Sequence, residues 1–162
     1  MSKLLSGTVQ DYIGRTVDLL AFDGATRDKE SKLIPSLVLP GQSGALIAGI
    51  EKLVQRFLLE LLTEQGSLQY QPDRGTSFMT QIRAGFLQTS QDLFSEFSRA
   101  ELEIRNTLLR EESVTDPADE RYQGSELLAV SLSGDLATLT ILVSSRAGSS
   151  RQVTYPLRIA AV

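Results

Sequence analysis

From residue 44 to residue 65 apolar side chains return every third or fourth position: Leu46, Ile47, Ile50, Leu53, Val54, Phe57, Leu58, Leu61 and Leu62. That spacing places them on one face of a helix. Glu51, Lys52, Gln55, Arg56, Glu60, Thr63 and Glu64 fill the other face, and Leu59 lies off the stripe. Gln65-Gly66-Ser67 predicts the stop, with Gly66 suited to a left-handed position just past the helix. A loop follows over 67–76. Its Pro72-Asp73-Arg74-Gly75 stretch is turn chemistry, with proline presetting φ and glycine accepting a positive φ. A second helix is predicted over 77–88, with Phe78, Met79, Ile82, Phe86 and Leu87 on one side. Thr89 and Ser90 can cap a third, and Asp92 suits its first turn. Leu93, Phe94, Phe97, Ala100, Ile104 and Leu108 carry that helix to about Glu112.

After a polar connector over 113–124 the period changes from 3.6 to 2. Leu128, Val130 and Leu132 alternate with small or polar neighbours, and Ser133-Gly134-Asp135 reads as a hairpin turn. Leu136 to Val143 alternates again, rich in Thr, Ile and Val. A second turn spans 146–150. A third strand over 152–159 carries Val153, Tyr155, Leu157 and Ile159 on one face. The fold class expected is α+β: a three-helix block, then a three-stranded antiparallel meander. Residues 1–42 differ. Arg15 to Phe22 is β-prone, and Asp23-Gly24 is a turn signal. A polar run spans 26–32, and Leu33 to Gly41 is apolar but carries Pro35 and Pro40. This stretch reads as an extended N-terminal arm with strand pieces, or as a short hairpin on the chain's own core. The rest, 43–162, is one α+β domain.

Composition narrows the chemistry. The chain has 162 residues, no His and no Cys. Imidazole acid–base catalysis, Ser-His-Asp and Cys-His nucleophiles, disulfides and iron–sulfur clusters are excluded, and most zinc sites with them. Net charge is −4, from 16 basic and 20 acidic residues, which argues against a phosphate-tracking surface. No long apolar run spans a bilayer, and Met1 to Gly7 lacks the apolar core of a signal peptide, so synthesis in a cytoplasm is expected. The acids Glu51, Glu60, Glu64 and Asp73 could form a glycosidase pair only if two were held across a cleft. Gly41-Gln42-Ser43-Gly44 lacks the Lys-Ser/Thr of a phosphate loop. Asp116, Asp119 and Glu120 lack calcium-loop spacing and read as a solvated turn. No cofactor or metal is expected.

The helix 52–67, the Tyr70-Gln71-Pro72-Asp73-Arg74-Gly75-Thr76 turn, two further helices, a hinge and paired strands together resemble the small baseplate wedge protein of contractile phage tails. That family has carried a lysozyme-like label and includes a type six secretion baseplate component. The resemblance spans about residues 44–160. Pro72, Asp73 and Gly75 match the family's Pro-x-x-Gly turn. The family's Glu-Pro-Arg motif has its counterpart in Asp119-Glu120-Arg121, without the proline. The resemblance implies a structural, non-enzymatic subunit of the virion tail baseplate. It implies docking through Glu120 and Arg121, and strand residues Val153, Tyr155, Leu157 and Ile159 facing the sheath. Partners would be other wedge proteins, the tail sheath subunit, and tube or hub proteins, with no nucleic acid and no membrane insertion. The alternatives are a cell-wall glycan hydrolase and a free-standing cytoplasmic interaction domain.

Overall fold

The computed structural model of the chain describes residues 16–19, 22–27, 33–37 and 46–159. Met1 to Gly7, the Gly41–Gly44 linker, the boundary placed at residue 42 and most of the polar run 26–32 lie outside them.

Three helices precede a three-stranded antiparallel sheet, as the change of period predicts. Helix α1 spans Ile50–Leu62, α2 Phe78–Arg83 and α3 Ser90–Glu111. Strands β5 (Tyr122–Ser133), β6 (Leu136–Ser145) and β7 (Ser150–Arg158) pair in the order β5-β6-β7. Four short strands come first: β1 (Asp18–Leu19), β2 (Phe22–Arg27), β3 (Leu33–Leu37) and β4 (Leu46–Ile47).

Helix α1 begins later than its apolar stripe. Leu46 and Ile47 pair with Leu19 and Asp18, so the first two stripe residues are strand, not helix. Helix α2 ends at Arg83 because Gly85 turns the chain with φ +74°. Phe86 therefore falls outside the helix and is 69% exposed, where the periodicity placed it on the buried side. Helix α3 keeps its expected cap. The Thr89 hydroxyl accepts from the Asp92 amide at 3.1 Å, and the Asp92 carboxylate accepts from the Thr89 amide at 2.9 Å. This reciprocal pair satisfies two of the amides a helix start leaves open.

The core lies between the helices and one face of the sheet. Leu53, Phe57 and Leu61 of α1, Phe97 and Ile104 of α3, and Leu139, Ile141 and Val143 of β6 are all buried. Phe57 stacks on Tyr122 with ring centroids 6.0 Å apart, and Phe78 meets Phe97 edge-on at 6.5 Å. Burial of each such side chain stabilises by about 1.5–3 kcal/mol. Strand β6 is central, and its alternate residues from Ala137 to Ser145 are all buried.

One expectation is corrected here. The face formed by Val153, Tyr155 and Leu157 of β7, with Ile159 just past its end, was expected to face a sheath subunit. Instead it packs on the chain's own core: Leu157 is buried and the other three are partly buried against it. The period of two picked the right alternating set, but that pattern marks any half-buried strand. Of the N-terminal stretch, the described strands pair within the chain: β1 with β4, and β2 with β3 antiparallel, close to β7.

Candidate functional site

Three glutamates sit in the interior, and each fastens one segment to another. Glu120 is 3% exposed. Its Oε1 accepts the Gly49 amide at 3.1 Å, directly before α1. Its Oε2 meets Lys52 Nζ at 2.8 Å and the Thr16 hydroxyl at 3.5 Å. Lys52 also donates to the Thr16 carbonyl at 3.3 Å. One carboxylate thus joins the connector, the start of α1 and the segment leading into β1. Its negative charge lies where the helix dipole favours it.

Glu60 performs the same work at the other end of α1. Arg74 Nε donates to its Oε1 at 2.7 Å, Arg74 Nη2 adds a closer contact, and the Gly75 amide donates to Oε2 at 3.0 Å. Arg74 Nη2 also reaches Glu111 at the end of α3, 3.2 Å away. The turn is then pressed onto α1. The Thr76 amide donates to the Thr63 carbonyl at 2.9 Å, and the Thr76 hydroxyl to the Leu61 carbonyl at 3.3 Å. Gly75 has φ +84°, and a Cβ there would come 2.3 Å from the Thr63 oxygen. No other residue type fits that position.

Glu101 holds α3 to β5. Its Oε1 accepts the Tyr122 hydroxyl at 2.8 Å and two Arg105 nitrogens at 3.0 and 2.9 Å. The Tyr122 hydroxyl also lies 2.8 Å from Ser125 Oγ. Burial pushes the Tyr122 phenol well above its ordinary pKa; the Ser125 contact opposes this and the Glu101 carboxylate adds to it.

Beside this cluster a cleft of about 500 Å³ opens between α3 and β5. Phe94, Phe97, Ser98, Glu101 and Leu102 form the helical wall; Ser125, Glu126 and Leu127 form the strand wall. Leu102 is 59% exposed at its rim.

The expected site residues fall in different places. Pro72, Asp73 and Gly75 form one turn, and Pro72 and Asp73 are exposed. Glu120 and Arg121, expected to dock on a partner, are both employed inside the chain. Glu120 is buried as above, so it is not part of a solvated turn. Arg121 Nε donates to the Asp116 carbonyl at 2.9 Å, and Arg121 Nη2 to the Val114 carbonyl. Of the acids weighed for glycan hydrolysis, Glu60 is held by Arg74. Glu64 pairs with Arg83 at 2.8 Å and Glu51 with Arg151 at 2.8 Å. Sequence reasoning missed the roles of Lys52, Glu60, Arg74 and Glu101. Only Glu101–Arg105 had a local signal, the i, i+4 spacing; Lys52 and Glu120 are 68 positions apart.

Among the described residues no group of three His, Cys, Asp or Glu is placed to hold a metal ion. Among them also, no helix is long and apolar enough to cross a membrane. No family model, no curated protein and no solved structure matches the chain.

Proposed function

We propose that the chain is a structural subunit of the baseplate wedge of a contractile tail or related injection machine. In this reading it docks on the wedge's helical core, sits among other wedge proteins and tube or hub proteins, and seeds the tail sheath through its C-terminal strands. The observation that carries the reading is a three-stranded sheet ending the chain on a helical block, with an outer strand, β5, whose only charged residue is Glu126. Native sheets blunt open edges with charge, and an edge left this bare suits pairing with another chain. The Pro72–Gly75 turn on which the resemblance rests is built into the fold by Glu60 and Arg74, which supports its use as a marker. Glu120 and Arg121 support docking indirectly, by fixing the hinge between helices and sheet.

The hydrolase reading draws less support, because its candidate acids Glu51, Glu60 and Glu64 each hold an arginine. The test is to delete the gene from a contractile particle and complement it in trans. Loss of sheathed tails, restored by the wild-type chain, is expected. Robust clearing of purified cell wall by the chain, abolished in Glu64→Gln or Asp73→Asn, would overturn the proposal.

A further inference from the structure

We propose that the cleft between α3 and β5 is a binding site for a small organic amine: a primary ammonium carried on an apolar body the size of a phenethyl group. This goes beyond the baseplate reading and does not depend on it.

The walls set the body of the ligand. At about 500 Å³ the cleft falls within the range of small-molecule sites, about 300–1,000 Å³. Phe97 and Leu127 are buried in its walls, Phe94 is half-buried, and Leu102 stands exposed at the rim. Covering such a surface with an apolar group is favourable. Ser98 on the helical wall and Ser125 on the strand wall are the smallest side chains of the lining. Both hydroxyls are engaged within the chain: Ser98 Oγ donates to the Phe94 carbonyl at 2.9 Å, and Ser125 Oγ lies 2.8 Å from the Tyr122 hydroxyl.

Charge sets the head. Glu101 lines the cleft and is 8% exposed. Its Oε1 takes every hydrogen bond it receives, from Tyr122 and Arg105, and its Oε2 accepts none among the described residues. The sealed side-chain oxygens without a partner among those residues belong to Glu103 and Glu112. Glu101 Oε2 is therefore reached by solvent, and the cleft is the opening beside it. A carboxylate oxygen only accepts, so the ligand must bring a donor. Arg105 balances Glu101, while exposed Glu126 on the strand wall has no ion-pair partner among the described residues. The cleft is thus left with negative charge in excess. An ammonium meets both demands, donating to Glu101 and offsetting Glu126. A lysine side chain from another protein would bring the same head on a stem too slender to cover both Phe94 and Leu127.

The test is a titration of the full, isotope-labelled chain with phenethylamine, followed by amide NMR shifts. Saturable binding with Kd of about 1 mM is expected for a ligand of this size, with shifts confined to residues 94–102 and 125–127. Phenethyl alcohol keeps the donor without the charge and should bind about tenfold more weakly; hydrocinnamate, an anion, should not bind. Nα-acetyl-lysine methylamide should also bind about tenfold more weakly than phenethylamine. Ser98→Phe, at an exposed helix position, fills the cleft and should abolish binding with an unchanged circular dichroism spectrum. Glu126→Gln should weaken the amine about threefold and leave phenethyl alcohol unchanged. No saturable shift up to about 20 mM amine, equal affinity for the alcohol, or full binding by Ser98→Phe overturns the site. Tighter binding of the lysine derivative than of phenethylamine also overturns it, by giving the cleft to a side chain of another protein.

Discussion

Replacing Arg74 by methionine isolates the ion pair at the end of α1. Methionine keeps most of the aliphatic stem that packs along the turn and removes only the guanidinium. Glu60, with a side chain 5% exposed, then keeps only the Gly75 amide at 3.0 Å. Removing one partner of a buried pair costs about 3–5 kcal/mol, mostly because the other charge is left uncompensated. Arg74 itself is 28% exposed, so water can reach Glu60 from its side. The expected loss is therefore at the lower end, about 3 kcal/mol. Glu60→Leu in the Arg74→Met background removes the stranded charge and should restore most of this, short of about 1 kcal/mol for the Gly75 amide that loses its acceptor. Urea unfolding of the wild type, both single variants and the double variant, followed by circular dichroism, gives the cycle. Because Glu60→Leu alone also loses the Gly75 amide bond, a coupling of about 3 kcal/mol with an unchanged denaturant slope is expected. A loss under about 1 kcal/mol in Arg74→Met, with additive singles, would show that the pair is a solvent-screened surface contact and refute the reasoning.

Gly75→Ala and Gly66→Ala form a second comparison, since both glycines have positive φ, +84° and +81°. Only Gly75 has backbone where the methyl must go, so its variant should lose over about 3 kcal/mol and Gly66→Ala about 1 kcal/mol; equal losses in thermal melts would remove the role given to the Thr63 contact. Glu120→Ala should cost about 2–3 kcal/mol through the stranded Lys52 and Gly49 amide, and should speed amide exchange at Gly49 and residues 16–19; unchanged exchange there would show that the carboxylate does not join these segments. Tyr122 has a folded-state pKa above its unfolded value of 10.0, so its contribution to stability is present below pH 10 and fades as pH rises through the folded value. Stability of the wild type should therefore fall more steeply than that of Tyr122→Phe above about pH 10, and parallel curves would contradict the burial of the phenol.

The helices and the meander were legible because their causes are local. The Thr89–Asp92 cap lies within four positions, the α3 stripe recurs along one helix, and β6 and β7 declare themselves by alternation; in β5 the irregularity between Leu127 and Ala129 buries Leu127 and leaves Leu128 and Leu132, the residues the period singled out, exposed. Where local causes compete with distant ones, the reading slipped. Leu46 and Ile47 fit the α1 stripe, yet pairing with Asp18 and Leu19, 27 positions or more away, claims them for a strand. The alternation of Val153 to Ile159 was visible, but a period of two says only that one face is buried, not whether the chain or a partner buries it. The carboxylates were the least legible of all. Glu120 stands in a connector among Asp116, Asp119 and Arg121, a composition that describes any solvated turn. What makes it a clamp is Lys52 and the amide before α1, and neither leaves a trace within a window around residue 120. The same holds for Glu60, a polar-face residue by periodicity, which is buried because a turn folds back and lays Arg74 across it. In both cases the acid lies at an end of α1 and ties it to a different part of the chain, Glu120 to the hinge and Glu60 to α3. Helix, hinge and sheet are thereby held as one body. In the baseplate role proposed above, that rigidity would favour docking, because ordering a mobile surface at the moment of association would subtract from the binding free energy.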